Sequence, residues 1–204
     1  MTRLPITSID QLDPKATYSY ADYLAWQFEE MVELIKGKVY RNMSPAPNRR
    51  HQRIAMKLTK PLVNYFDKRT CQLYSAPFDV RLFDQKKSSK QNKDIYTIVQ
   101  PDLCVVCDLN KLDDQGCLGA PDWIIEIASP ATRHKDQKVK LALYEENGVR
   151  EYWIVFPEIN SVAVYELQTD GRYQLQSLYN ETDVVPVGIF PDLSIELSEI
   201  LLED

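Results

Sequence analysis

Residues 121–130 read Pro-Asp-Trp-Ile-Ile-Glu-Ile-Ala-Ser-Pro. Apart from Glu126, positions 123–128 are apolar without alternation, the pattern of a strand covered on both faces rather than one with a solvent side. Pro130 and Thr132 introduce a helix that runs to about Asn147 and is ended by Gly148. Glu151 to Phe156 follows as a second strongly apolar strand. Strand, helix, strand in this order predicts a mixed α/β domain.

Working outward, Ile95 to Asp108 reads as a strand rich in Val and Cys, and Gln72 to Phe83 as another, with a polar loop over 84–94 between them. A polar, Gly-containing loop covers 109–120. A helix is predicted from Asn48 to Lys68, with Ile54, Leu58, Leu62 and Tyr65 at helical spacing and Pro61 set to kink or shorten it. Val32 to Met43 reads as two short strands around Lys36-Gly37, and Ser19 can cap a helix reaching Met31 through Tyr23, Leu24, Trp26 and Phe28. Downstream, Val162–Leu167 and Arg172–Leu178 form a hairpin across Thr169-Asp170-Gly171, before a short C-terminal helix. No repeat, low-complexity tract or Gly/Ser linker divides the chain, so residues 1–204 are expected to form one domain with extra β-hairpins in its N- and C-terminal parts.

The 204 residues are 44% hydrophobic and 26% charged with six glycines, which excludes disordered and collagen-like classes. The net charge of −6 argues against a protein that coats nucleic acid or anionic membrane through bulk charge. Its distribution is uneven. Through Lys140 there are 22 basic and 17 acidic residues, net +5; beyond it there are 2 and 13, net −11. Windows 49–60, 86–93 and 133–140 hold 13 of the 24 Lys and Arg residues, enough for a local positive surface if they converge. The N-terminus has no secretory pattern and no stretch approaches the ~18 apolar residues of a membrane span, so a cytoplasmic protein with no membrane partner is expected. Of Cys71, Cys104, Cys107 and Cys117, only Cys104 and Cys107 are closely spaced. On a strand, residues three apart face opposite ways, so buried reduced thiols are expected rather than a zinc site.

Two charges stand out. Glu126 amid Trp123, Ile124, Ile125 and Ile127 is costly to bury unless paired, bound to a cation, or facing a cleft. Asp102 opens the run Leu-Cys-Val-Val-Cys at the mouth of another apolar strand. Asp122 and Glu126 share a strand face but lie about 13 Å apart at ~3.3 Å per residue, too far to share an ion, whereas Asp102 on a neighbouring strand ~4.8 Å away can. Hard oxygen ligands suit Mg²⁺ or Mn²⁺. The alternative is that Asp102 satisfies a turn and Glu126 pairs with a buried Arg or Lys. Lys140 falls four residues after Asp136 and four before Tyr144, on one face of the helix following the Glu126 strand; its alternative is an exposed pair with Asp136. Lys138, about 160° round an α-helix from Lys140, competes with it, and at most one of them can face the site.

Pro-Asp-Leu-Cys-Val-Val-Cys-Asp (101–108), the 121–133 segment, Asp136, Lys140, Tyr144 and Gly-Val-Arg-Glu-Tyr-Trp-Ile-Val (148–155) together resemble the Uma-type restriction-endonuclease-like family, a branch of the PD-(D/E)XK nuclease superfamily. Glu-Leu-Ile-Lys-Gly-Lys-Val-Tyr (33–40), Met-Ser-Pro (43–45) and His51-Gln-Arg-Ile resemble the family's opening, and the resemblance spans about 18–200. It implies a restriction-endonuclease-like core, with a mixed central sheet flanked by helices. By position, Asp102 and Glu126 resemble the metal carboxylates and Glu33 an additional acidic residue of the site. The superfamily's lysine two residues after Glu126 is replaced by Ala128, and the family's shift of that lysine to the next helix makes Lys140 the match. His51 occupies a position where the family often has His, for capping, phosphate positioning or chemistry. Where the family frequently has Asp, this chain has Val155-Phe156-Pro157.

The resemblance implies a Mg²⁺- or Mn²⁺-dependent endonuclease cutting DNA, expected to be double-stranded, with Asp102, Glu126 and Glu33 at the metal and Lys140 stabilising charge. Arg49, Arg50, His51, Arg53, Arg133 and Lys135 are the expected nucleic-acid contacts. Cutting both strands of a duplex implies a homodimer by analogy. A nuclease-fold protein that binds nucleic acid or a protein without cleaving is one alternative. A small-molecule hydrolase, which calls for a closed apolar pocket, is another.

Overall fold

The structure, a computed structural model, describes residues 5–27, 30–41, 48–83, 91–130 and 132–202. Met43 to Pro45 and the basic residues Lys86, Lys87 and Lys90 lie outside the described residues.

The predicted N-terminal helix is a single turn, α1 (Tyr20–Tyr23), closed by a reciprocal cap in which the Ser19 and Asp22 side chains each take the other's backbone N–H. It does not continue because Trp26 folds back onto Tyr18 and Tyr23, with ring centroids 5.3 and 5.8 Å away. The hairpin follows as β1 (Val32–Ile35) and β2 (Lys38–Arg41), turning through Lys36 and Gly37, both at positive φ. Asn48 caps α2 (Arg49–Phe66), whose side-chain oxygen accepts the His51 N–H. Pro61 is carried inside this helix, which neither ends nor shortens there.

Both long strands expected next are broken. Residues 72–83 form β3 (Gln72–Ser75) and β4 (Val80–Leu82), while 95–108 form β5 (Thr97–Val99) and β6 (Leu103–Val106). Pro77 and Pro101 stand at the breaks, where a residue without an N–H cannot extend a ladder. At each break the chain passes from one sheet to another, and Ala76 N–H bonds Asp102 C=O at 3.2 Å, tying the two crossings together. The expected 109–120 loop contains β7 (Leu112–Asp113) and β8 (Gly116–Leu118).

β9 (Trp123–Ile127) is buried throughout, as read. The predicted helix is in two parts, a π-helical turn over Lys135–Lys140 and then α3 (Leu141–Asn147), closed by Gly148 at φ +80°. β10 (Glu151–Phe156) pairs parallel with β9, the crossover geometry implied by strand, helix, strand. β11 (Ser161–Leu167) and β12 (Tyr173–Asn180) form the expected hairpin. β13 (Val184–Pro186), β14 (Ser194–Glu196) and α4 (Leu197–Leu201) complete the chain.

The fold is mixed α/β, with two six-stranded sheets in place of one: β2-β1-β5-β4-β8-β7 and β12-β11-β10-β9-β6-β3. On one face of the second sheet, Trp123, Ile125, Trp153 and Val155 pack on Ile54, Leu58 and Leu62 of α2. On the other, Ile124, Tyr152 and Ile154 meet Leu143 and Tyr144 of α3 and Val80, Leu82 and Val99 of the first sheet. The cysteines are not all reduced. Gln72 pairs with Val106, and one step further along the antiparallel register Cys71 and Cys107 are joined as a disulfide, while Cys104, facing the other way, and Cys117 are buried thiols. Among the described residues no helix is long and apolar enough to cross a membrane.

Candidate active site

The site forms where the two sheets approach each other and both proline crossings meet β9. β6 and β9 are antiparallel, with Leu103 opposite Ile125. Extending this register by one residue sets Asp102 across from Glu126. Asp102 is fixed there because its Oδ2 accepts the Ile127 N–H at 2.6 Å. Its Oδ1 lies 3.3 Å from Nε2 of His51, in the first turn of α2. Burial alone would lower the His51 pKa; the hydrogen bond to Asp102 and its charge outweigh that and raise it.

Glu126 shares the β9 face of Ile124 and points toward the helix. Lys140 Nζ at 2.7 Å and Tyr144 Oη at 2.8 Å both donate to its Oε1, leaving Oε2 as the oxygen open to a ligand. Lys140 also lies 2.9 Å from Glu33 Oε1, and Lys135 Nζ lies 2.7 Å from Glu33 Oε2. The π-helical turn explains why two lysines reach one carboxylate. Its i→i+5 repeat aligns residues five apart, which an α-helix does not. Lys138 is exposed and Lys140 buried.

Charge is shared unequally. Burial works to raise Glu33, but Lys140, Lys135 and the Gln100 N–H bring it down to about 2. Glu126 is pushed up to about 8, first by burial and then by Asp136, Asp102 and Glu33, against the pull of Lys140. Asp136 is buried and also raised, chiefly by burial. Lys140, despite burial, is held well above the ordinary range by Glu126, Glu33 and Asp136. Four carboxylates thus share two lysines and one histidine.

A cavity of about 800 Å³ opens over these groups, with Asp102, Glu126, Asp136, Lys135, Lys140 and His51 on its wall. Of the other expected nucleic-acid contacts, Arg50 reaches the wall and donates to Asn160 at 2.7 Å, and Arg49 is exposed one residue before it. Arg133 sits 3.8 Å from Glu158 and over the Phe156 ring. Arg53 is turned away, donating to the Leu201 and Leu202 carbonyls. Two basic windows therefore meet at the cavity through Arg50, Lys135 and Lys140. The alternative of an exposed Asp136–Lys140 pair does not hold, since both side chains are buried, and Tyr144, which spacing alone set on the Lys140 face without a role, is a donor to Glu126.

No group of three or more His, Cys, Asp and Glu side chains among the described residues is arranged to hold a metal ion. Asp102 and Glu126 nonetheless fit one. Mg²⁺ demands oxygen ligands, keeps several of its waters, and is commonly held by one or two carboxylates with substrate phosphate completing the shell. Burial first, and then the charges of Asp136, Asp102 and Glu33, disfavour the Glu126 carboxylate, and a divalent cation beside it would favour that charged form.

The family model Uma2, described as "Putative restriction endonuclease", matches residues 20–198, nearly the whole chain. The chain belongs to the Uma2 family. An "Uncharacterized protein slr1290" from Synechocystis is 24% identical over 163 residues, covering 78% of this Uma2 chain and 80% of that protein. The fold is similar to the crystal structure of "a putative nuclease belonging to DUF820" from Anabaena variabilis. That comparison has a TM-score of 0.67 and 20% identity, and covers 90% of this chain and 97% of the other. Membership of Uma2 agrees with the similarity of the whole fold to that "putative nuclease".

Proposed function

We propose that this chain is a divalent-metal-dependent endonuclease that hydrolyses phosphodiester bonds of double-stranded DNA in the cytoplasm. The observation that carries the reading is the opposition of Asp102 and Glu126 at the cavity, with Lys140 bonded to Glu126. Arg50, Lys135 and Lys140 on the wall favour a phosphate-bearing substrate over the apolar pocket of a small-molecule hydrolase.

Asp102 and Glu126 Oε2 would hold Mg²⁺ or Mn²⁺. Once bound, the ion would polarise the scissile phosphate and lower the pKa of the attacking water. Lys140, held by Glu126 and Glu33 through two of its three N–H groups, would offer the third to the charge that develops on the phosphoryl oxygens. Tyr144 and Lys140 together keep Glu126 Oε1 occupied and so orient Oε2. His51 holds the other side of Asp102. Arg49, Arg50, Arg133 and Lys135 would hold backbone phosphates beside the cleavage point. A homodimer would supply one such site to each strand.

Incubation with plasmid and linear DNA in Mg²⁺ or Mn²⁺, beside Asp102→Ala and Glu126→Ala, tests the reading. Cleavage by the unaltered protein that both substitutions abolish is expected. Cleavage surviving both would refute the site, and binding without cleavage under any metal would favour a non-cleaving nuclease-fold protein.

A further inference from the structure

Glu33 resembles an additional acidic residue of the site, yet its surroundings differ from those of Asp102 and Glu126. It lies within β1, is 1% exposed, and is absent from the cavity wall, whereas both lysines it touches are on that wall. Its oxygens are engaged on both sides. Oε1 accepts the Gln100 N–H at 3.0 Å and faces Lys140 Nζ at 2.9 Å, and Oε2 faces Lys135 Nζ at 2.7 Å. A carboxylate has about four lone-pair directions, and three are already filled by donors. A divalent ion drawn to the same group would also stand beside two ammonium charges.

We infer that Glu33 is a positioning residue: it holds Lys135 and Lys140 as a fixed cationic pair on the cavity wall and ties them to the strand crossing that carries Asp102. This rests on the nuclease reading for the use of the lysines, but not for their arrangement. Gln100 is two residues before Asp102, so its N–H bond to Glu33 links the lysines to the proposed metal carboxylate through one rigid stretch. Gln100 is itself anchored, its side-chain Nε2 donating to Asp79 at 2.8 Å. Asp79 in turn accepts from Tyr20 of α1 at 3.2 Å. The pair depends on the π-helical turn, whose Asp136 carbonyl accepts from the buried Tyr152 hydroxyl at 3.2 Å. Glu33 thus joins β1, the β5–β6 crossing and the π-helical turn at the point where their charges must agree.

The test compares Glu33→Gln with the unaltered protein and Glu126→Gln in two measurements. One is Mn²⁺ affinity by titration calorimetry, read beside single-turnover DNA cleavage. The other is the rate of reductive methylation at Lys135 and Lys140, followed by mass spectrometry, which needs neither metal nor DNA. In Glu33→Gln, methylation of both lysines is expected to accelerate and cleavage to fall roughly 10- to 100-fold, with Mn²⁺ affinity retained. Glu126→Gln is expected to lose Mn²⁺ affinity by about tenfold or more. Should Glu33→Gln lose affinity as Glu126→Gln does, Glu33 is a ligand and the inference is overturned. Lysines as protected in Glu33→Gln as in the unaltered protein would also overturn it. Failure of the unaltered protein to bind Mn²⁺, with the methylation change present, defeats the metal reading and leaves the positioning role standing. If Glu33→Gln does not fold, the charge-balanced Glu33→Gln/Lys135→Gln variant carries the same measurements, with Lys140 as the methylation reporter.

Discussion

The Lys140 ammonium lies 2.7 Å from Glu126 Oε1, with both side chains largely buried in the cavity wall. Removing one partner of a buried pair leaves the other uncompensated, at a cost of about 3–5 kcal/mol. Lys140→Met is expected to lower stability by about that amount in urea unfolding. Lys140→Met/Glu126→Gln is expected to recover a part of it, because no charge is left at Glu126, while Glu33 keeps only Lys135. Additive losses in the double variant would show that the two groups are not coupled.

Tyr144 donates to the same Glu126 oxygen at 2.8 Å and is fully buried. Tyr144→Phe keeps the ring against Tyr152, whose centroid is 4.9 Å away, and removes only the hydroxyl. A hydrogen bond to a charged group contributes about 1.5–3 kcal/mol, so a loss in that range is expected in urea unfolding above pH 8, where Glu126 is ionised, and a smaller one below it. An unchanged stability would mean that Glu126 finds another donor.

The fold's central unit was legible because β9 and β10 are apolar on both faces and Gly148 marks the end of α3. The opposition of Asp102 and Glu126 was legible for a similar reason: each is a charge where the pattern demands none. What could not be read were the sheet changes at Pro77 and Pro101, since periodicity is the same on either side of each break. α1 stops early because aromatic packing of Trp26 outweighs helical spacing. The surroundings of Glu33 were equally hidden, because they depend on contacts 67 and 102 residues away in sequence.

Glu151, fully buried at the start of β10, accepts the Trp153 indole N–H at 2.6 Å and the Ile189 N–H at 2.9 Å. Burial outweighs these bonds and raises its pKa from 4.5 to about 7. The folded state therefore binds the proton more tightly than the unfolded one. That stabilisation is complete below pH 4.5 and is lost as pH rises through 7, amounting to roughly 3 kcal/mol at ~1.4 kcal/mol per pH unit. Urea midpoints between pH 5 and 8 are expected to decline less steeply in Glu151→Gln than in the unaltered protein. Equal slopes would place the proton elsewhere.

Arg49 and Arg53 sit one turn apart on α2 but have different tasks. Arg49 is exposed at the end of the helix that reaches the cavity, where a phosphate can approach it. Arg53 donates to the Leu202 carbonyl at 2.7 Å and the Leu201 carbonyl at 3.3 Å, fastening the end of α4 to α2. Neutralising one phosphate contact reduces the slope of log affinity against log salt by about 0.9. Arg49→Ala is expected to lower that slope by about 1 on a short duplex and to leave stability within about 0.5 kcal/mol. Arg53→Ala is expected to do the reverse, lowering the melting temperature with the salt slope unmoved. Fluorescence anisotropy across a salt series, beside thermal unfolding of both variants, separates the two. A loss of slope in Arg53→Ala at unchanged stability would place the DNA path over the middle of α2, away from the cavity.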